Sequence, residues 1–260
     1  MRKTELPWCR AVLVVALLAF LPAHAEESAA DISRKSRERG ALNLLGLSAQ
    51  LKLTTASKDG KPKEQVLTTT AKKIGERTHS LVRFQQPAGV AGVAVLTVEG
   101  AKGEASEISL YLPKVKRVRK VARTQRGQSF MDTDFSYADL GGTGGERDDA
   151  MKLVGESKKL DRLVWVLSGK AGPDSPYGEV KVYVDKETYV PTQVEYTDKE
   201  GKPFKVYRAA ELKRFKDRVI AARSSMENLQ TGSVTTIEVL QLNEVQLGDE
   251  AFSERALERG

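Results

Sequence analysis

Leu51-Lys52-Leu53-Thr54-Thr55-Ala56-Ser57-Lys58-Asp59-Gly60-Lys61-Pro62, followed by Gln65-Val66-Leu67-Thr68-Thr69-Thr70-Ala71-Lys72-Lys73-Ile74, decides the class of fold. Leu51 and Leu53 alternate with Lys52 and Thr54, the period of a strand with one buried face. Lys58 to Pro62 carries turn chemistry, and the threonine-rich run after it reads as the returning strand. The pattern repeats outward in both directions. Leu81–Phe84, Val90–Val98, Ile108–Leu112, Leu163–Leu167 and Val180–Val184 are short β-branched or apolar runs bounded by turn residues. Val194-Glu195-Tyr196 and Phe204–Tyr207 flank Asp198-Lys199-Glu200-Gly201-Lys202-Pro203, and Val219–Met226 and Val234–Leu242 flank Gln230-Thr231-Gly232. These are two further hairpins. No long helical pattern separates the strands, so parallel βαβ units are not expected. The reading is mainly β: an antiparallel sheet curled into a barrel or half-barrel, in one domain over residues 26–260. At its start, residues 26–50 predict a short helix weakened by Gly40 and Gly46.

The first 25 residues stand apart. Arg2, Lys3 and Arg10 precede an apolar run from Ala11 to Leu21, and Pro22 leads into Ala23-His24-Ala25. That is the pattern of a cleaved secretory signal peptide, and the apolar run is too short for a membrane span. Cleavage after Ala25 would remove Cys9, His24, three basic residues and one acidic one, taking the formal charge from +7 to +5. The mature chain would then hold no cysteine and one histidine, His79. Cysteine nucleophiles, disulfides, and thiolate or multi-histidine metal sites are thereby excluded. The expected fate is secretion out of the cytoplasm, the expected state a monomer without a cofactor.

Catalytic and phosphate-binding motifs are incomplete along the chain. Ser129 lacks the second glycine of a nucleophile elbow. Asp132, Asp134 and Ser136 begin like a calcium loop, but Tyr137 stands where glycine is needed and Thr143 where glutamate is needed. Gly141–Gly145 lacks the Lys-Ser/Thr of a phosphate loop. A carboxylate pair for glycoside hydrolysis has no distinguishing spacing here.

Two segments remain conspicuous. Lys114, Lys116, Arg117, Arg119, Lys120, Arg123 and Arg126 fall within thirteen positions without an acidic residue. In a secreted protein nucleic acid is not the expected partner, so the run reads either as a solvated strand face or as a surface for an anionic headgroup or acidic protein. Lys116, Arg117, Arg119 and Lys120 are its candidates. Then Gly127 to Leu140 mixes Phe130, Met131, Phe135, Tyr137 and Leu140 with Asp132, Asp134 and Asp139, just before a glycine-rich stretch. It reads as a loop packing its aromatics beneath itself or as a lid over a pocket. Asp134 or Ser136 could cap a helical turn, with Asp139 completing a box from Ser136.

Leu110-Tyr111-Leu112-Pro113, Arg117-Val118-Arg119-Lys120-Val121 and Ser129-Phe130-Met131-Asp132-Thr133-Asp134-Phe135-Ser136-Tyr137-Ala138-Asp139-Leu140 together resemble the periplasmic outer-membrane lipoprotein-sorting (LolA-like) proteins, in particular the branch associated with RND/MMPL-type exporters. Weaker matches continue through Tyr177–Asp185, Met226–Asn228 with Thr235-Thr236, and Phe252–Leu257. The Gly92-Val93-Ala94-Val95-Leu96 strand and the faint N-terminal helix depart from the family pattern. The resemblance implies a curved antiparallel half-open β-barrel with a small helical or loop lid over an apolar cavity. It implies a non-enzymatic carrier of lipid or lipidated protein that works with an inner-membrane RND-type exporter. On that reading Phe130, Met131, Phe135 and Tyr137 form the lid and Leu110, Leu112, Leu163 and Trp165 the cavity wall, with Asp134 and Asp139 as lid caps. Rival readings are a partner-binding module of an envelope export complex and a hydrolase of envelope polymers.

Overall fold

The alternation of Leu47, Ala49, Leu51 and Leu53 places all four side chains on one buried face of a ten-residue strand. The same two-residue period organises the rest of the computed structural model, which describes residues 27–58, 60–100, 106–141, 150–172 and 175–259. A helix, α1 (Ala29–Arg37), comes first. Ser28 caps it by accepting the Asp31 N–H at 3.1 Å. Two minimal strands, β1 (Arg39–Gly40) and β2 (Asn43–Leu44), pair with each other. Then follow β3 (Leu47–Ala56), β4 (Lys63–Ile74), β5 (Arg77–Gln86), β6 (Ala94–Val98), β7 (Glu107–Leu112) and β8 (Arg117–Lys120). Further on come β9 (Lys152–Lys159), β10 (Arg162–Lys170), β11 (Glu179–Asp185), β12 (Pro191–Thr197), β13 (Pro203–Phe215), β14 (Arg218–Asn228) and β15 (Ser233–Glu244), and the helix α2 (Glu254–Leu257). The expected signal peptide, Asp59 and the glycines Gly142, Gly144 and Gly145 lie outside the described residues. No helix among the described residues is long and apolar enough to cross a membrane.

β3 to β15 form one open, curved antiparallel sheet in the order β8-β7-β6-β5-β4-β3-β15-β14-β13-β12-β11-β10-β9. Every neighbouring pair is consecutive in the chain except β15 and β3, which join two meanders at the centre. One meander runs outward to the edge strand β8, and the other begins at the opposite edge, β9. Between these two edges lies a link of which residues 121–141 and 150–151 are described; within it Gly127–Leu140, the crossing segment, breaks the β rhythm.

The three expected hairpin turns join β3 to β4, β12 to β13 and β14 to β15. Gly201 and Gly232 sit at φ +82° and +71°, a left-handed conformation that costs glycine nothing. The expected strand at Val90–Val98 is shorter, Ala94–Val98. Residues 87–93 turn back instead: the Val90 and Ala91 N–H groups donate to the Pro87 carbonyl, and Gly92 adopts φ +81°. Two strands had no sequence signal at full length. β9 is exposed at nearly every position and β8 is short and basic, so neither carries a buried stripe.

Registers fix which residues share a face. Leu51, Leu67 and Phe84 stand opposite one another across β3–β5, as do Val82, Val95 and Leu110 across β5–β7. They belong to the main core, which continues through Val180, Val182 and Val184 of β11 to Val194 and Tyr196 of β12. The other face carries a separate cluster in which Phe252 and Leu257 pack on Ala94 and Leu96.

Asp185 ends β11 fully buried. Its carboxylate accepts from the Arg162 guanidinium, the Thr188 N–H at 2.8 Å and the Thr188 hydroxyl at 2.6 Å. Burial alone would raise its pKa, but the Arg162 and Thr188 hydrogen bonds outweigh it and hold the carboxyl below its usual range. A depressed carboxyl contributes stability above its unfolded pKa, and that contribution is lost as pH falls through the folded value. Urea titrations should therefore show stability falling below about pH 4, with a smaller acid loss in Asp185→Asn. An identical pH profile in the variant would show that this carboxylate carries none of the acid sensitivity.

Candidate functional site

The crossing segment lies on the main-core face of the sheet, with its aromatic side chains down. Phe130, Phe135, Ser136, Tyr137 and Leu140 are all buried. Phe130 rests against Phe84 of β5 with ring centroids 5.4 Å apart, and its other side meets Tyr137 at 5.8 Å. The segment folds on itself first. The Phe130 N–H donates to the Phe135 carbonyl at 2.7 Å, the Ser129 hydroxyl to the Thr133 carbonyl at 2.6 Å, and Ser129 and Ser136 form an isolated bridge. Met131 and Asp132, at φ +51° and +62°, make the reversal between Phe130 and Phe135. Met131 is half-buried and its carbonyl accepts from Gln65 Nε2 at 3.0 Å, so the loop tip is tied to β4.

The two acidic residues expected as caps have different tasks. Asp139 does close a turn: its Oδ2 accepts the Ser136 N–H at 2.6 Å and the Ser136 hydroxyl at 2.8 Å, ahead of the 3₁₀ turn Tyr137–Gly141. The capping expectation for Asp134 is corrected. Its carboxylate accepts the Ser233 and Thr235 hydroxyls of β15, with Thr235 Oγ1 at 2.7 Å, while its own N–H donates to Thr235 Oγ1 at 2.8 Å. Asp134 is thus a pin between the segment and the central strand, at the end of the chain reversal and three residues ahead of the 3₁₀ turn.

A second tie runs through Asp139. Tyr177 Oη donates to this carboxylate at 2.9 Å and lies 3.2 Å from the Ser136 hydroxyl. Lys205 Nζ, on β13, stands 3.4 Å from Tyr177 Oη and 4.0 Å from Asp139 Oδ2. Tyr177, Lys205, Ser233, Thr235 and Gln65 were not among the sequence candidates. One local signal existed for Lys205, since strand alternation places it in phase with the buried Tyr207 and Ala209. Its partners come from chain positions 28 and 66 residues away, which no local pattern reveals.

The wall candidates separate. Leu110 is fully buried in the main core and Leu112 packs half-buried against it. Trp165 is half-buried on the same core, its ring 5.6 Å from that of Tyr189. Leu163 shares the Trp165 face, but it is 63% exposed at the hairpin end of β10, next to the edge strand. The covering elements do not reach it, so the structure places Leu163 on the open rim.

The basic run also divides. Lys120 reaches Glu107 at 2.8 Å and Glu254 at 3.8 Å, on the face that carries α2. Arg117 and Arg119 stand opposite Leu112 and Leu110 in register, on the core side of the edge strand. Tyr137 feels this: burial raises its phenol pKa and the nearby Arg119 charge pulls it part of the way back. Lys116 sits exposed in the turn before β8 at φ +49°.

Two openings flank the crossing segment. A small apolar one, about 40 Å³, is lined by Leu42, Phe135, Val194, Tyr196, Tyr207 and Met226 among others. The larger, about 840 Å³, opens at the hairpin end beside Thr55, Lys61, Lys63, Ser129, Lys205 and Ser233. No group of three or more His, Cys, Asp or Glu side chains among the described residues could hold a metal ion.

A family model described as "Uncharacterized protein"-like matches residues 76–259, more than half of the chain. No curated protein sequence matches. Among solved structures, a domain assigned to outer membrane lipoprotein sorting from Vibrio parahaemolyticus is similar at 24% identity and TM-score 0.78, covering 88% of this chain and 98% of that one. A DUF1329 family protein from Desulfovibrio piger is similar at 22% identity and TM-score 0.77, over 88% and 97% of the two chains. A LolA superfamily protein from Nitrosomonas europaea follows at 18% identity and TM-score 0.69, over 88% and 99%.

Proposed function

This chain belongs to the family whose model spans residues 76–259 and has the fold of the outer-membrane lipoprotein-sorting (LolA-like) proteins, and on that premise we propose that it is a non-enzymatic periplasmic carrier of lipid or lipidated protein. One observation carries the reading. The apolar face of the sheet is covered by a separate segment, Gly127–Leu140, held down by a few hydrogen bonds at Gln65, Thr235 and Tyr177. Such a cover can leave without unpicking a strand. Acyl chains would then lie where Phe130, Phe135 and Tyr137 lie in the closed form, against Leu110, Leu112 and Trp165. Each buried methylene contributes about 0.8 kcal/mol, enough over one chain to hold a lipid out of water. A receiver must supply an equivalent apolar surface for release. An inner-membrane RND-type exporter is the proposed source of cargo, and cleavage after Ala25 the proposed route of entry to the periplasm.

Native mass spectrometry of the mature chain, purified gently from periplasm, tests this. Lipid adducts are expected, and they should be lost in Phe135→Asn while circular dichroism stays unchanged. If neither co-purified nor added lipid binds, the carrier reading falls. The exposed Lys116, Arg117 and Arg119 on an open sheet edge support the second reading, a module that binds an acidic partner. Binding through them would weaken steeply with salt.

A further inference from the structure

The Lys205 ammonium is a charge in an unusual setting. The residue is 5% exposed, yet the acceptors near it are distant: Tyr177 Oη at 3.4 Å and Asp139 Oδ2 at 4.0 Å. Asp139 is already well supplied, since its carboxylate accepts from the Ser136 N–H, the Ser136 hydroxyl and Tyr177 Oη. The rings of Phe204 and Tyr177, 5.2 and 5.7 Å away, give further partial compensation. A buried ammonium is costly unless a close, hydrogen-bonded anion balances it, and the described residues supply this only at long range.

Lys205 also lines the cleft of about 840 Å³ at the hairpin end. Lys61 and Lys63 stand on its rim, and Thr55, Ser57, Ser129, Asn228, Thr231 and Ser233 add hydroxyl or amide groups. Two carboxylates share the lining. Asp134 is turned into the sheet by Ser233 and Thr235, and Asp132 meets Lys63 at 3.3 Å on the exposed rim. The cleft borders the crossing segment at Gly127, Ser129 and Asp132–Asp134, so a molecule with its polar end there stands next to the segment that the carrier reading displaces.

We infer that this cleft is a headgroup site for a net-anionic phospholipid, one whose phosphate is not neutralised by a cationic group of its own, with Lys205 as the inner contact and Lys63 as the outer one. The inference rests on the carrier reading and narrows its cargo to anionic lipids. A phosphate oxygen at Lys205 Nζ would compete for the ammonium with Tyr177 and Asp139. Binding of the headgroup would thereby loosen one of the ties that hold the segment closed.

Titration calorimetry of the mature chain with dihexanoyl phosphatidic acid, dihexanoyl phosphatidylcholine and inorganic phosphate tests it. Phosphatidic acid is expected to bind about tenfold more tightly than phosphatidylcholine, the worth of one charge-assisted contact. Lys205→Met should remove that preference. Lys63→Glu, at an exposed position that leaves the buried network intact, should reduce it and thus serves if Lys205→Met fails to fold. Equal binding of the two lipids, or a preference unchanged in Lys63→Glu and in a folded Lys205→Met, overturns the headgroup site and leaves the carrier standing. Binding of neither lipid overturns both. Inorganic phosphate binding as tightly as phosphatidic acid overturns the lipid assignment, because the site would then recognise a free anion.

Discussion

Phe130→Ala is expected to lower the unfolding free energy by about 3–5 kcal/mol, the range for removing a buried aromatic side chain. Phe130 is fully buried, and the sheet beneath it cannot collapse into the void, because Phe84 and its neighbours are held in a continuous ladder. Tyr137 would lose its ring partner as well. Chemical denaturation of the mature chain measures this. The variant carries a second expectation that an ordinary core residue would not. If acyl chains occupy the same face, added lipid should return part of the lost stability, since a ligand that binds only the folded state stabilises it by mass action. A loss below about 1 kcal/mol would show that the segment contributes little to the closed fold. A full loss with no lipid rescue would mark Phe130 as core alone.

Asp139→Ala should cost a similar amount, about 3–5 kcal/mol, for an electrostatic reason. Removing the carboxylate strips the Ser136 N–H and hydroxyl and Tyr177 Oη of their shared acceptor. It also leaves the Lys205 ammonium buried with no anion within 4 Å among the described residues. Asp139→Asn keeps an acceptor oxygen at that position and should lose clearly less. Denaturation midpoints of the two variants decide the matter. Equal losses would mean that hydrogen-bond geometry, and not charge, holds the turn, and losses near zero in both would remove Asp139 from the closure altogether.

How much of this was legible in the chain differs from element to element. The hairpin around Lys58–Pro62 could be read directly because alternation over Leu51 and Leu53 is a property of a few adjacent residues. The same holds for the turns at Gly201 and Gly232. β8 and β9 could not be read at their full extent, because an exposed edge strand has no buried stripe to leave a period in the sequence. Gly127–Leu140 was visible as an anomaly, aromatics and aspartates together, and its likeness to a known family supplied a meaning. Its alternatives, a self-packed loop or a lid, could not be separated locally. In the structure the segment is bonded to itself at Phe130 and Phe135 and packs on the core face of the sheet.

By itself, then, the amino-acid sequence determined an antiparallel β architecture, short turns, a single cysteine, Cys9, ahead of the β pattern, and the segment most unlike its surroundings. These follow from side-chain period and composition, which act over a few residues. Tertiary structure alone decided that the two sheet edges are β8 and β9, strands consecutive in the chain but at opposite ends of the sheet, and that Gly127–Leu140 between them packs on the core face. It decided that Asp134 grips β15 and does not cap a turn, that Leu163 stands on the rim while Leu110 lies beneath the cover, and that Lys205 is buried beside a carboxylate 66 positions away. Burial and pairing between distant residues are set by how the strands are ordered in space, and no local pattern carries that order.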